Sequence, residues 1–254
     1  MLTLPMFIFM GFMLSESGIA NDMYHMFHVW MGSLKGGLAV GTLLIMVLIS
    51  CMNCLSVAGM AIGCSGALPE LLKRNYDKRM ISGLIQAGSS LGILIPPSIV
   101  LVLYGMIARQ PVSKLWLAGI GPGILLTLMF LVYILVRCHL NPKMGPALDK
   151  SERNFTMAEK LKVLSSGIIP LLLIFSVIGS FFSGLTSLVE SSALGALASF
   201  VVALLRRRLT WPIFKKILRE TLDNSAMFMW IMMAALAFAA VFDGLGAVRA
   251  LEGS

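Results

Sequence analysis

Apolar residues in this chain run in long blocks, separated by short polar or basic segments. The blocks at 115–136, 163–182, 188–205 and 226–242 come close to the roughly 20 residues a helix needs to cross a bilayer. Two other stretches have a different pattern. In 18–32, Ile19, Met23, Met26, Phe27 and Trp30 recur at helical spacing, with Asn21, Asp22, His25 and His28 between them. In 209–223, Trp211, Phe214, Ile217 and Leu218 stand against Lys215, Lys216, Arg219 and Glu220. An apolar stripe opposed by a polar face predicts a helix lying along the membrane surface, so both are expected to be amphipathic arm helices.

Two further apolar segments are interrupted. Residues 36–50 are apolar but too short to cross comfortably, and they run into Cys51-Met-Asn53-Cys-Leu-Ser56. A small-residue helix from Val57 to about Leu72 follows, then Lys73, Arg74, Lys78 and Arg79. Two half-length helices joined by a polar break, with basic residues at both outer ends, predict a re-entrant hairpin over 36–72. Irregular backbone at membrane depth is tolerated only when buried in protein or lining a cavity, which raises the functional interest of its tip. The segment 79–108 has the length of a span but carries Pro96-Pro97 in its middle. Two prolines remove two donors and turn Ile95 away from helical geometry. Gly88, Ser89, Ser90 and Gly92 lie just ahead and Ser98 just after. A broken helix flanked by Ser and Gly is the element transporters use to aim backbone groups at ions or substrate.

Composition agrees with the pattern. Of 254 residues, 58% are hydrophobic and 13% charged, against about 25% charged in ordinary soluble domains. That deficit excludes a soluble enzyme, a disordered tail and a typical nucleic-acid binder. The net charge of +8 is spread over the connections between apolar blocks. If 36–72 re-enters and each other span crosses, all but Arg109, Lys114 and Arg249 of the 20 Lys and Arg residues fall on one side. The positive-inside rule makes that side cytoplasmic, including the loop 139–162. The four cysteines lie in or at the end of apolar segments and indicate no disulfide framework. Neither Cys51 and Cys54 nor His25 and His28 come with the further ligands that zinc requires. Residues 1–14 lack a charged leader region and are short for a span, so they are expected to be the end of a longer helix.

Several strings together are distinctive. Leu91-Gly-Ile-Leu-Ile-Pro-Pro-Ser98, Leu103-Tyr-Gly105 and Leu117-Ala-Gly-Ile-Gly-Pro-Gly123 closely resemble the large membrane subunit of tripartite ATP-independent periplasmic (TRAP) transporters. Pro5 to Phe9 with Gly18-Ile-Ala20, Gly36-Gly-Leu38, Ala67-Leu-Pro-Glu70, Tyr76-Asp77 and Arg206-Arg-Arg-Leu-Thr-Trp211 follow in the family's order. The resemblance covers essentially the whole chain. It implies an all-α polytopic bundle of the elevator type, with arm helices, inverted repeats and re-entrant hairpins. It also implies sodium as coupling ion, with no further cofactor, and uptake of an organic acid anion such as a C4-dicarboxylate. The implied partners are a small four-helix membrane subunit and a periplasmic binding protein, in a bacterial inner membrane.

On this reading, residues 1–138 form a first repeat and 163–254 begin a second half. Asn53, Ser56, Ser89, Ser90, Gly92, Pro96, Pro97 and Ser98 are the expected ion- or substrate-binding residues, with tip and break meeting around sodium. The chain departs from the family at three places. Asn53-Cys-Leu-Ser56 replaces a Ser-Gly-Ser-rich tip, and Ser187-Leu-Val-Glu190 replaces Thr-Pro-Thr-Glu. The family's opening helices and second hairpin have no counterpart, so the repeat is expected to be incomplete and the chain unable to transport alone. These departures keep a second reading open, a non-transporting scaffold of the same ancestry. An intramembrane enzyme is the poorest alternative, because no span pairs a nucleophile with a base.

Overall fold

In the computed structural model, residues 2–16, 18, 23, 26–27, 29–31, 36–53, 59–60, 63–141, 144–146 and 157–246 are described. Among them the chain is helical, with no strand. The helices are α1 (Thr3–Glu16), α2 (Gly37–Asn53), a π-helical turn Gly63–Ala67 leading into α3 (Leu68–Lys73), α4 (Lys78–Leu91) and α5 (Ile99–Ile107). They continue with α6 (Val112–Leu140), α7 (Met157–Phe182), α8 (Leu188–Leu205) and α9 (Trp211–Gly244). Helices α6, α8 and α9 are long and apolar enough to cross a membrane. The chain is an all-α membrane protein.

Among the described residues, two apolar cores are larger than the others. In the first, Leu43, Met46 and Ile49 of α2 pack against Ile81, Leu84 and Ile85 of α4, with Ile134 and Cys138 of α6 closing one end. In the second, Leu4, Phe7 and Ile8 of α1 meet Ile99 and Val102 of α5, Trp116 of α6, and Leu173 and Val177 of α7. Phe7 and Phe181 set their rings against Trp116, at centroid distances of 5.9 and 5.1 Å. Tilted and edge-on aromatic pairs of this kind add to the area they bury. Thus α6 belongs to both cores, its first turns in one and its last in the other.

The two ends of the segment 36–73 lie together. Gly36 N donates to the Gly145 carbonyl at 3.1 Å, and Asp77 N donates to the Met144 carbonyl at 3.2 Å. Tyr76 OH reaches the Pro146 carbonyl at 3.0 Å. One short loop therefore holds the entry to α2, the exit from α3 and the C-terminal end of α6. The tip residues 54–58 lie outside the described residues, as does most of the arm 18–32, whose Met23, Met26 and Val29 are buried.

The break in 79–108 falls where the prolines predict it. Helix α4 stops at Leu91, a run of turns carries residues 92–98, and α5 starts at Ile99. Further along, the structure differs from the sequence reading. The sequence pattern predicts an arm over 209–223 and a separate span over 226–242, yet one 34-residue helix, α9, covers 211–244. The reason lies in the polar residues between them. Thr221 Oγ1 donates to the Ile217 carbonyl, Asn224 Nδ2 to Glu220 and Ser225 Oγ to Thr221, at 2.6–2.8 Å. Each spends its hydrogen on its own helix four residues back, and no Gly or Pro interrupts the ladder. Helix α9 is about 51 Å long, more than the roughly 30 Å of a hydrocarbon core.

Candidate functional site

The polar end of α2 meets the break after α4. Ser50, one turn before the end of α2, is fully buried. A Cβ on Gly92 would collide with Ser50 Cβ and stand 2.7 Å from the Ser50 carbonyl oxygen. Only glycine allows the first residue of the break to come so close. Gly59, beyond the tip, lies against the same place, for a Cβ there would collide with Ser50 Oγ and sit 3.5 Å from Ser89 Cβ. The chain on both sides of the undescribed tip thus converges on Ser89 and Gly92.

Hydroxyl chemistry sharpens the picture. Ser89 is fully buried, and its Oγ donates to the Ile85 carbonyl at 2.7 Å and the Gln86 carbonyl at 3.1 Å. With its proton turned back onto α4, the oxygen keeps its lone pairs free to accept. Ser50 Oγ is buried and has no hydrogen-bond partner among the described residues. Leaving a buried hydroxyl unsatisfied costs about 1–3 kcal/mol, so this atom calls for a partner. A hard cation takes oxygen ligands from hydroxyls and carbonyls alike. The junction supplies hydroxyl oxygens on two elements, so its donor set fits such an ion.

The other expected residues have different places. Ser90 is exposed, with its Oγ donating to Ala87 at 2.9 Å, on another face of α4 from Ser89. Pro96 and Pro97 are buried in the turn, and the bond between them is cis. Ser98 acts as N-cap of α5, its Oγ accepting from Leu101 N at 3.4 Å while donating to the Ile93 carbonyl. Its own carbonyl accepts from Trp116 Nε1 at 3.4 Å. Ser98 therefore fixes where α5 begins and stands aside from the junction. The side chain of Asn53 and all of Ser56 lie outside the described residues. Sequence reasoning passed over Ser50 and Gly59, which sit on either side of the polar string it singled out. The available signal was position: Ser50 ends the apolar run and stands three residues, one helical turn, before Asn53. Away from the junction, Glu190 is exposed in a reciprocal cap with Ser187, at 2.7 and 3.3 Å.

An all-α membrane protein with a Pro-Pro-broken helix set against the polar end of an apolar one has the construction secondary transporters use around their solutes. The comparisons name the family. The chain belongs to the family described as "Tripartite ATP-independent periplasmic transporter, DctM component", which it matches over residues 1–253. It is 31% identical over 242 residues to the C4-dicarboxylate TRAP transporter large permease protein DctM of Pseudomonas aeruginosa, covering 95% of this chain and 55% of that protein. It is 28% identical over 244 residues to the sialic acid TRAP transporter large permease protein SiaM of Vibrio cholerae, covering 94% and 55%. To the ectoine/5-hydroxyectoine permease UehC of Ruegeria pomeroyi it is 27% identical over 206 residues, covering 81% and 46%. The chain spans about half the length of the curated relatives it matches.

Proposed function

We propose that this chain forms part of the large permease of a TRAP transporter in a bacterial inner membrane, and that the junction of tip and break binds the sodium that drives uptake. The observation that carries the reading is the buried Ser50 Oγ, unpartnered among the described residues and placed where α2, the return segment at Gly59 and the break at Gly92 converge. The Ser89 hydroxyl is the second ligand, and carbonyls of the break and of the tip around Asn53 and Ser56 complete the set. The re-entrant course of 36–72 draws support from the single loop that ties Gly36, Tyr76 and Asp77. In an elevator mechanism the hairpin and broken helix move as one body, and their shared core of α2 and α4 residues suits that motion.

The cargo is an organic acid anion handed over by a periplasmic binding protein, with a small four-helix membrane subunit bracing the permease. C4-dicarboxylates and sialic acid, in the names of two relatives, both carry carboxylates. The test is uptake into vesicles holding the complete permease, its small subunit and loaded binding protein. Uptake should require an inward sodium gradient, and Ser50→Ala or Ser89→Ala should raise the half-saturating sodium concentration by about tenfold, equal to about 1.4 kcal/mol of lost binding. Uptake under potassium alone, or sodium titrations unchanged in both variants, would overturn the assignment.

A further inference from the structure

A second feature lies at the opposite end of α4. Between α4 and α6 runs a groove of about 660 Å³. Leu43, Leu84 and Ile134, all buried in the first core, are among its lining residues. Toward the middle of the molecule it ends at Ala87 and Leu126. At its other end stand Arg79 and Arg137, both exposed, and neither guanidinium forms an ion pair among the described residues. Asp77, also on this rim, is committed as N-cap of α4, accepting from Arg79 N and Met80 N at 3.0 Å each. Two uncommitted cations and one engaged carboxylate leave the rim basic, while the rest of the groove is nearly all apolar.

The geometry points to an anionic phospholipid of the cytoplasmic leaflet, with its phosphate between Arg79 and Arg137 and an acyl chain along the groove. Depth supports this occupant. From Arg137 to Leu126 along α6 is about 16 Å at 1.5 Å per residue, close to half of a roughly 30 Å hydrocarbon core. The groove is thus one leaflet deep, with its charge at the level where headgroups lie. Basic residues at the membrane surface attract anionic headgroups, and the arginine fork suits a phosphate. Seated there, the lipid would join α6 to the body formed by α2 and α4.

The test uses the full chain in non-ionic detergent, stripped of lipid and offered dioleoylphosphatidylglycerol or dioleoylphosphatidylcholine, with retained lipid counted by native mass spectrometry. Phosphatidylglycerol should be favoured about 5- to 30-fold, the range expected from one to two basic residues near an anionic headgroup. Arg79→Gln with Arg137→Gln should remove most of that preference, whereas lysine at both positions should keep part of it. Ala87→Trp, which fills the deep end, should lower retention of both lipids. Loss of the preference in an Arg206→Gln, Arg207→Gln, Arg208→Gln variant would overturn the proposal by showing a diffuse basic effect. So would equal retention of the two lipids, displacement by glycerol phosphate as effective as by the lipid, or no effect of the Arg79 and Arg137 changes. In cells, Tyr133→p-benzoylphenylalanine on the groove wall should photo-crosslink to lipid, and capture of a protein instead would contradict it.

Discussion

Polar residues interrupt apolar stretches at 89–98 and again at 221–225, and the backbone answers differently at each. At 92–98 the helix ends, turns and restarts. At 221–225 it continues, and α9 runs unbroken from Trp211 to Gly244. Counts of polar side chains do not separate the two, since both have Ser with other polar or small neighbours. The difference is what each segment does with its backbone donors. Pro96 and Pro97 have no N–H to give, and Ser98 offers α5 a new start. Thr221, Asn224 and Ser225 keep every N–H and merely decorate the helix with bonds to earlier carbonyls. Packing then consolidates the contrast. Trp116 and Ser50 close around the break, whereas α9 leaves Trp230, Ile231, Met233 and Phe238 exposed, an apolar surface suited to lipid.

The comparison can be broken most severely at Trp116. Trp116→Ala empties the space between Phe7 and Phe181 and removes the donor to the Ser98 carbonyl. A loss of about 3–5 kcal/mol is expected, as for other buried aromatic truncations, read as a lower unfolding midpoint in detergent. Asn224→Pro should turn the unbroken helix into a broken one at a cost of about 3 kcal/mol. Hydrogen exchange in the turn around residue 224 should rise sharply, and continued protection there would show that α9 is held by something other than its own ladder. Ser98→Ala removes the cap of α5 and should cost about 1 kcal/mol, with faster exchange at Leu101 N. Ser225→Ala, which removes only a back-bonded hydroxyl, should stay within about 0.5 kcal/mol.

Much of this contrast was legible in the sequence, but unevenly. The position of the break followed from Pro96-Pro97, because loss of donors is a local property of the residues themselves. A helix occupies 188–205, its start set by the Ser187 and Glu190 cap and its C-cap at Arg206. The continuity of α9 was hidden because Thr, Asn and Ser read equally well as loop formers and as back-bonding helix residues. Ser50 was hidden for another reason. Its importance comes from what Gly59 and Gly92 bring against it across the fold, and no local pattern records that. Ser90, adjacent to Ser89 in sequence, looked equivalent until the helix turned it outward.

In the proposed function, Ser50 Oγ, without a hydrogen-bond partner among the described residues, is a ligand of the coupling ion. Thermal unfolding of the purified permease in sodium chloride and in choline chloride, for the wild type and Ser50→Ala, tests it most directly. Without sodium the variant should be as stable as the wild type or more so, because it removes an unsatisfied hydroxyl worth about 1–3 kcal/mol. On adding sodium, the wild type should gain stability as ligand binding requires, and Ser50→Ala should lose most of that gain. A variant that is destabilised in choline, or that responds to sodium as the wild type does, would contradict the account.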